Sequence, residues 1–277
     1  DKATTRVLKT IEVGSSVEEL ALGAAGQRVL ASMPGARAVA VIATDYHAEV
    51  SRFFFGDDRI RPIGIDEGGS RGLASNGRLP LAGLEAPGES VRFGAVYAFD
   101  PGRLPSEQDS VRTGLSGNPV DLVMAPDGTS SYVLLREENA IVHLHTQPSG
   151  VVRQDGKMNT CRQPEELALL PHGRRIAVRC NAGRAVEVFS LTTGELLRHI
   201  PLNARVSDMV ISPDGQQALL ALPRDGEGQG SIGVLDLGNY ELTLHEIAGE
   251  PHRIRMAPDG STAVVVSDRS KVAWVLR

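Results

Sequence analysis

The chain has 277 residues, 41% of them hydrophobic, with 30 glycines, 16 prolines and a formal net charge of -5. That mild charge, with no basic cluster along the sequence, gives no reason to expect nucleic acid or an anionic membrane as partner, and no apolar run approaches the ~18 residues of a membrane span. Frequent glycine and proline favour many turns over long helices, and the length suits one large all-β domain.

A start at Asp1 rather than Met is expected of a processed or trimmed chain. The first segment, "TTRVLKTIEVG", reads as a strand with no partner beside it. In "ELALGAAGQRVLA" two apolar runs flank a turn ending at Gly26, and "RGLASNGRLPLAG" is read the same way, with its turn at Gly77. The pattern then sharpens. "VMAPDGTSSYVLL" turns at Gly128, "LLPHG" at Gly173, "VISPDGQQALLAL" at Gly215 and "RMAPDGSTAVVVS" at Gly260. Successive turn glycines lie 51, 51, 45, 42 and 45 residues apart. Proline pre-sets φ for the second residue of a type I turn, Asp tolerates the third, and Gly accepts the left-handed conformation that closes the hairpin.

Each unit continues with a third strand such as "VYAFD", "VEVFSL" or "GVLDL", then a turn and a fourth strand, as in "TTGELLRHIPL". Four short antiparallel strands in about 45 residues are the size of one β-propeller blade. Six units therefore predict an all-β, six-bladed β-propeller over residues 1–277, a single domain. Helical propensity in "SVEELALGAAGQRVLAS" is outweighed by the β-rich equivalents of the same positions. The sixth unit stops after its third strand, "KVAWVLR", and residues 5–13 resemble the fourth strand "GELLRHIPLN". Those residues are expected to complete the last blade and close the ring, which removes two open sheet edges.

The "SPDG" turn, the "GVLDL" strand and the "TTGELLRHIPL" hairpin resemble the YVTN-type β-propeller repeats of bacterial and archaeal extracytoplasmic proteins, over nearly the whole chain. The resemblance implies the fold and a periplasmic or secreted location. It implies no single activity, because that family includes surface proteins, metal carriers, cofactor-handling proteins and enzymes.

In such a ring the loops entering the first strands open on one face, where a rigid scaffold leaves sequence free to vary. Seven residues before each turn glycine stand Glu19, Ser70, Asp121, Glu166, Asp208 and Arg253, with His252 just before the last. Four carboxylates around one mouth either cap backbone N–H groups or hold a hard cation, and calcium is the cofactor such oxygens would suit. Arg162, Arg184 and Arg253, with Arg71, Arg136, Arg179, Arg224 and Arg269, map near the same face, as ion-pair partners of the acids or as an anion-binding rim. The loop Leu81–Gly94 is read as a lid or partner contact, or else as a tolerated insertion, on that face.

Histidine as a residue type titrates near neutrality, and on that ground His252 is the candidate acid or base. His143 and His145 alternate in "IVHLHTQ" and read as a solvent-facing pair. Cys161 and Cys180 flank the first two strands of one blade and are expected to form a disulfide, which suits an oxidising compartment, with free thiols or a soft-metal pair as the alternatives. The leading function is a monomeric extracytoplasmic binding protein holding a small ligand or protein partner on the loop face. Two alternatives stand beside it: a metal-dependent hydrolase or lactonase built on the carboxylate ring, and an accessory protein of a redox or metal-handling system.

Overall fold

The structure, a computed structural model, describes residues 7–23, 26–56, 58–76, 94–103, 110–223, 229–267 and 271–277. Almost all regular structure among them is β-strand, in six antiparallel sheets. The first holds β1 (Glu19–Gly23), β2 (Arg28–Met33), β3 (Ala38–Ala43) and β4 (Ala48–Phe54). The second holds β5 (Ile63–Ile65), β6 (Gly72–Ser75), β7 (Ala95–Phe99) and β8 (Ser110–Gly114). The third holds β9 (Pro119–Met124), β10 (Ser130–Leu135), β11 (Ala140–Thr146) and β12 (Val152–Asn159). The fourth holds β13 (Pro164–Leu169), β14 (Arg175–Cys180), β15 (Ala185–Ser190) and β16 (Leu196–Pro201). The fifth holds β17 (Asp208–Ile211), β18 (Gln217–Leu222), β19 (Gly230–Asp236) and β20 (Leu242–Ile247). The sixth holds β21 (Arg253–Met256), β22 (Ala263–Ser267) and β23 (Val272–Leu276). In every sheet the strands lie in chain order, so each sheet is a simple meander.

The turns obey the chemistry read from the sequence. Gly128 sits at φ 66° and donates its N–H to the Ala125 carbonyl at 3.0 Å. Asp127 Oδ1 accepts the N–H groups of Thr129 at 2.8 Å and Ser130 at 2.7 Å. Partial burial pushes the Asp127 carboxyl up, but those N–H bonds outweigh it and hold the group below the ordinary carboxylate range. Gly215 and Gly260 repeat the arrangement, at φ 70° and 72°. "PHG" departs only in detail: it forms a short 3-10 turn, Pro171–Gly173, with His172 itself at φ 71°.

The second unit departs from expectation. Its hairpin joins β5 to β6 through Asp66–Arg71, and the glycine at positive φ there is Gly69, whose N–H meets the Asp66 carbonyl at 3.0 Å. Gly77 lies outside the described residues, in the long connection from β6 to β7. The misreading has a simple cause. "DEGGS" carries no Pro-Asp-Gly signature, and β5 is only three residues long. Leu81–Gly94 falls between second and third strands, as expected, but only Gly94 is among the described residues. Of residues 5–13, those described carry no strand, and the sixth sheet has three strands. Ile11 and Val13 pack instead against Ala31, Met33, Ala38 and Ala40 of the first sheet, and Arg52 donates to the Val13 carbonyl at 2.9 Å.

The chain divides into two compact units, residues 1–135 with 142–156, and residues 136–141 with 157–277. In the first, Leu30, Val39, Val41 and Phe53 pack on Ile63, Tyr97 and Phe99, and a neighbouring cluster joins Leu73, Val96, Leu122, Val133 and Leu144. In the second, Ala177, Val186 and Val188 pack on Met209, Leu220 and Leu235, and Leu219, Ala221 and Ile232 on Ile254 and Val265. These residues alternate along their strands, so face-to-face burial between successive sheets supplies the core of each unit.

Candidate functional site

In the unit containing residues 157–277, the starts of β13, β17 and β21 are tied together by polar contacts, so the loops entering them share one end. The tie begins at Arg179, opposite Glu166 in the β13–β14 register. Its Nε donates to Glu166 at 2.7 Å, and one terminal nitrogen donates both to Glu165 at 2.8 Å and to the Val206 carbonyl, just before β17, at 2.7 Å. Asn181 donates to the other Glu165 oxygen at 3.0 Å, where Arg136 also approaches to 3.4 Å. The Arg179 side chain is 10% exposed. Burial alone would lower its pKa, but the carboxylates of Glu166 and Glu165 outweigh burial and raise it.

One sheet further on, Asp208 makes the equivalent link. Its Oδ2 accepts the Ile254 N–H at 2.8 Å and Arg255 at 2.9 Å. Ser207 adds a bond to the Pro251 carbonyl at 3.1 Å. Arg255 leaves most of its surface in solvent, whereas Asp208 is buried.

The other unit repeats the device. Glu19, at the start of β1, accepts the Ile63 N–H of β5 at 3.4 Å and lies 3.8 Å from Arg61, which also meets Glu18 at 3.4 Å. Burial raises the Glu19 carboxyl, against the lowering effects of the Ile63 N–H and Arg61. Ile63 and Ile254 stand at the same place relative to their turn glycines, Gly69 and Gly260, so one carboxylate-to-backbone link recurs in both units. Asp121 turns one oxygen onto its own Leu122 N–H at 2.8 Å.

Ser70 is not the equivalent of these residues. It lies in the β5–β6 turn, where its hydroxyl donates to Asp66 at 3.0 Å. Once the turn is anchored at Gly69, the position belongs to Pro62. Arg253, Arg162 and His252 do lie at the end bearing the β13, β17 and β21 starts, all exposed, but they are not among the arginines bonded to Glu166 or Asp208. Arg184 and Arg205 are exposed at the same end, Arg184 reaching the Asn203 carbonyl at 3.3 Å. Arg71 bonds the Gly128 carbonyl at 2.9 Å, and Arg224 and Arg269 lie outside the described residues. His143 stacks on Tyr132 with ring centroids 4.9 Å apart and Nδ1 3.6 Å from Asp155, while His145 is exposed.

Cys161 and Cys180 form a disulfide, with Cα atoms 6.0 Å apart. Two residues absent from the sequence expectation complete this corner. Glu187 of β15 is 5% exposed; it accepts the Cys161 N–H at 2.8 Å and faces Nδ1 of His199, on β16, at 2.9 Å. The clue was a carboxylate inside the apolar run "AVEVFS", since a buried charge needs partners.

No family model matches the sequence, and no curated protein matches it. Among solved structures, the chain is similar to Kuenenia stuttgartiensis hydrazine synthase, at 17% identity and TM-score 0.72, covering 100% of this chain and 88% of that one. It is similar to the Myceliophteria thermophila Cps50 (Swd1) β-propeller domain, at 11% identity and TM-score 0.67, covering 94% and 83%. A third likeness is to dihydro-heme d1 dehydrogenase NirN, solved in complex with DHE, at 17% identity and TM-score 0.67, covering 91% of this chain and 51% of that one. At these identities the likeness shows the fold alone, and that fold is the β-propeller.

Proposed function

We propose that the protein is an extracytoplasmic β-propeller binding module, and that the loop end of residues 157–277 engages an anionic ligand or an acidic surface of a partner. One observation carries this reading. Arg162, Arg205 and Arg253 are exposed at the end where Glu165, Glu166 and Asp208 are bonded to Arg179, Arg255 and backbone. Guanidinium groups offer forked donors suited to carboxylate or phosphate oxygens. His252 lies exposed beside Arg253 and offers a further ring N–H donor at that end. The disulfide supports an oxidising compartment.

The test exploits the overall charge of -5, which opposes retention on a polyanion. Wild-type protein should be held on a column of sulfated polysaccharide at low salt and released by added salt, as an exposed electrostatic contact requires. The combined Arg162→Ala, Arg205→Ala and Arg253→Ala variant, with an unchanged circular dichroism spectrum, should pass straight through. Wild type and variant eluting together would count against an arginine binding face.

A further inference from the structure

We propose that reduction of the Cys161–Cys180 disulfide creates a metal site, in which both thiolates and the Glu187 carboxylate hold a zinc-class divalent cation. The proposal stands independently of the arginine face. Its first support is geometric. The two sulfurs and a Glu187 oxygen all lie within 4.8 Å of one another. Tetrahedral zinc, with sulfur at about 2.3 Å and oxygen at about 2.0–2.2 Å, needs its donors that close. The Cα separation of 6.0 Å lets the sulfurs part without moving the strands.

The second support is the cost of Glu187. It stands in β15 between the buried residues Val186 and Val188, itself buried, where a carboxylate loses most of its hydration. A disulfide needs no carboxylate beside it. The Cys161 N–H and His199 steer the Glu187 oxygens instead of filling the corner with apolar atoms. Imidazole bonded to a ligating carboxylate is the kind of outer support that orients metal ligands. Two thiolates with one carboxylate are a borderline-soft donor set, suited to Zn²⁺ and poorly suited to Ca²⁺ or Mg²⁺. Three protein donors leave the fourth position to water or an added ligand, and Cys161 is partly exposed, which gives the ion a way in.

The chemistry balances with a dithiol as reductant. It gives two electrons and two protons, the S–S bond breaks, two thiols form, and the dithiol becomes a cyclic disulfide. Binding of the cation then releases the two thiol protons to solvent.

The test uses the full chain, reduced with excess dithiol and desalted without oxygen, and titrated with Co²⁺ as the spectroscopic probe. One equivalent should give thiolate-to-cobalt charge-transfer absorption in the near ultraviolet and the intense visible bands of tetrahedral cobalt, both removed by Zn²⁺. Oxidised protein should give neither. Glu187→Gln should weaken cobalt binding at least tenfold, and His199→Gln by about tenfold, in the range typical of outer-sphere partners. Where the reduced chain loses its β-sheet signal, restoration of that signal by Zn²⁺ supports the site, and failure to restore it overturns it. A folded, reduced protein that binds no cobalt, or binds it equally with Gln at 187, also overturns it.

Discussion

Replacing Arg179 by methionine is expected to lower the stability of the unit containing residues 157–277 by ~3 kcal/mol, at the low end of what breaking a buried ion pair costs. The side chain holds two carboxylates and a backbone carbonyl of the next sheet at 2.7–2.8 Å. Its removal leaves Glu165 and Glu166 side by side in a poorly hydrated corner, and the Val206 carbonyl without that donor. Methionine keeps much of the volume, so the loss reflects charge and hydrogen bonding more than packing. Trp274, the single tryptophan, lies in β23 within this unit and reports its unfolding by fluorescence. The urea midpoint should fall clearly for Arg179→Met. Adding Glu165→Gln and Glu166→Gln should recover a substantial part, because neutral amides no longer repel. A midpoint within error of wild type would show that Arg179 fastens nothing.

Removing the disulfide is the second large effect. Cys161→Ala with Cys180→Ala should cost about 3 kcal/mol, the value the chain-entropy model assigns to a loop of roughly 20 residues; the sequence separation is 19. Cys180 is fully buried, so alanine avoids placing an unpaired hydroxyl there. The same urea titration with and without dithiol should show wild type losing stability on reduction while the double variant does not respond. Equal sensitivity of both proteins to dithiol would mean that the bond contributes nothing.

The hairpins were legible because Pro-Asp-Gly chemistry is local. The turns at Gly128, Gly215 and Gly260 are set by a few adjacent residues, and the flanking strands follow from period-two alternation. The second unit was misplaced because Asp66–Gly69 makes the same turn with different residues, which moved the equivalent site position from Pro62 to Ser70. The partners of the carboxylates were not legible. Asp208 bonds to Ile254 and Arg255, which lie 46 and 47 residues away on the next sheet. Periodicity within a strand carries no information about which neighbouring strand end will arrive there. Glu187 and His199 meet through the β15–β16 register, which pairs them directly. Only the strand alignment, not the spacing, brings them to the cysteines.

The central claim is that Glu19 and Asp208 directly, and Glu166 through Arg179, fasten sheet to sheet and leave the binding face to the arginines. Thermal melting of the oxidised protein in millimolar calcium and in excess chelator tests it most directly. Fastening carboxylates predict coincident melts, with Glu166→Gln and Asp208→Asn each lowering the melting temperature in both solutions, since each weakens a bonded partner. A cation-holding ring requires the opposite: an upward shift with calcium, about 2.7 kcal/mol at a hundredfold excess over its dissociation constant, abolished by the same two substitutions with the fold intact.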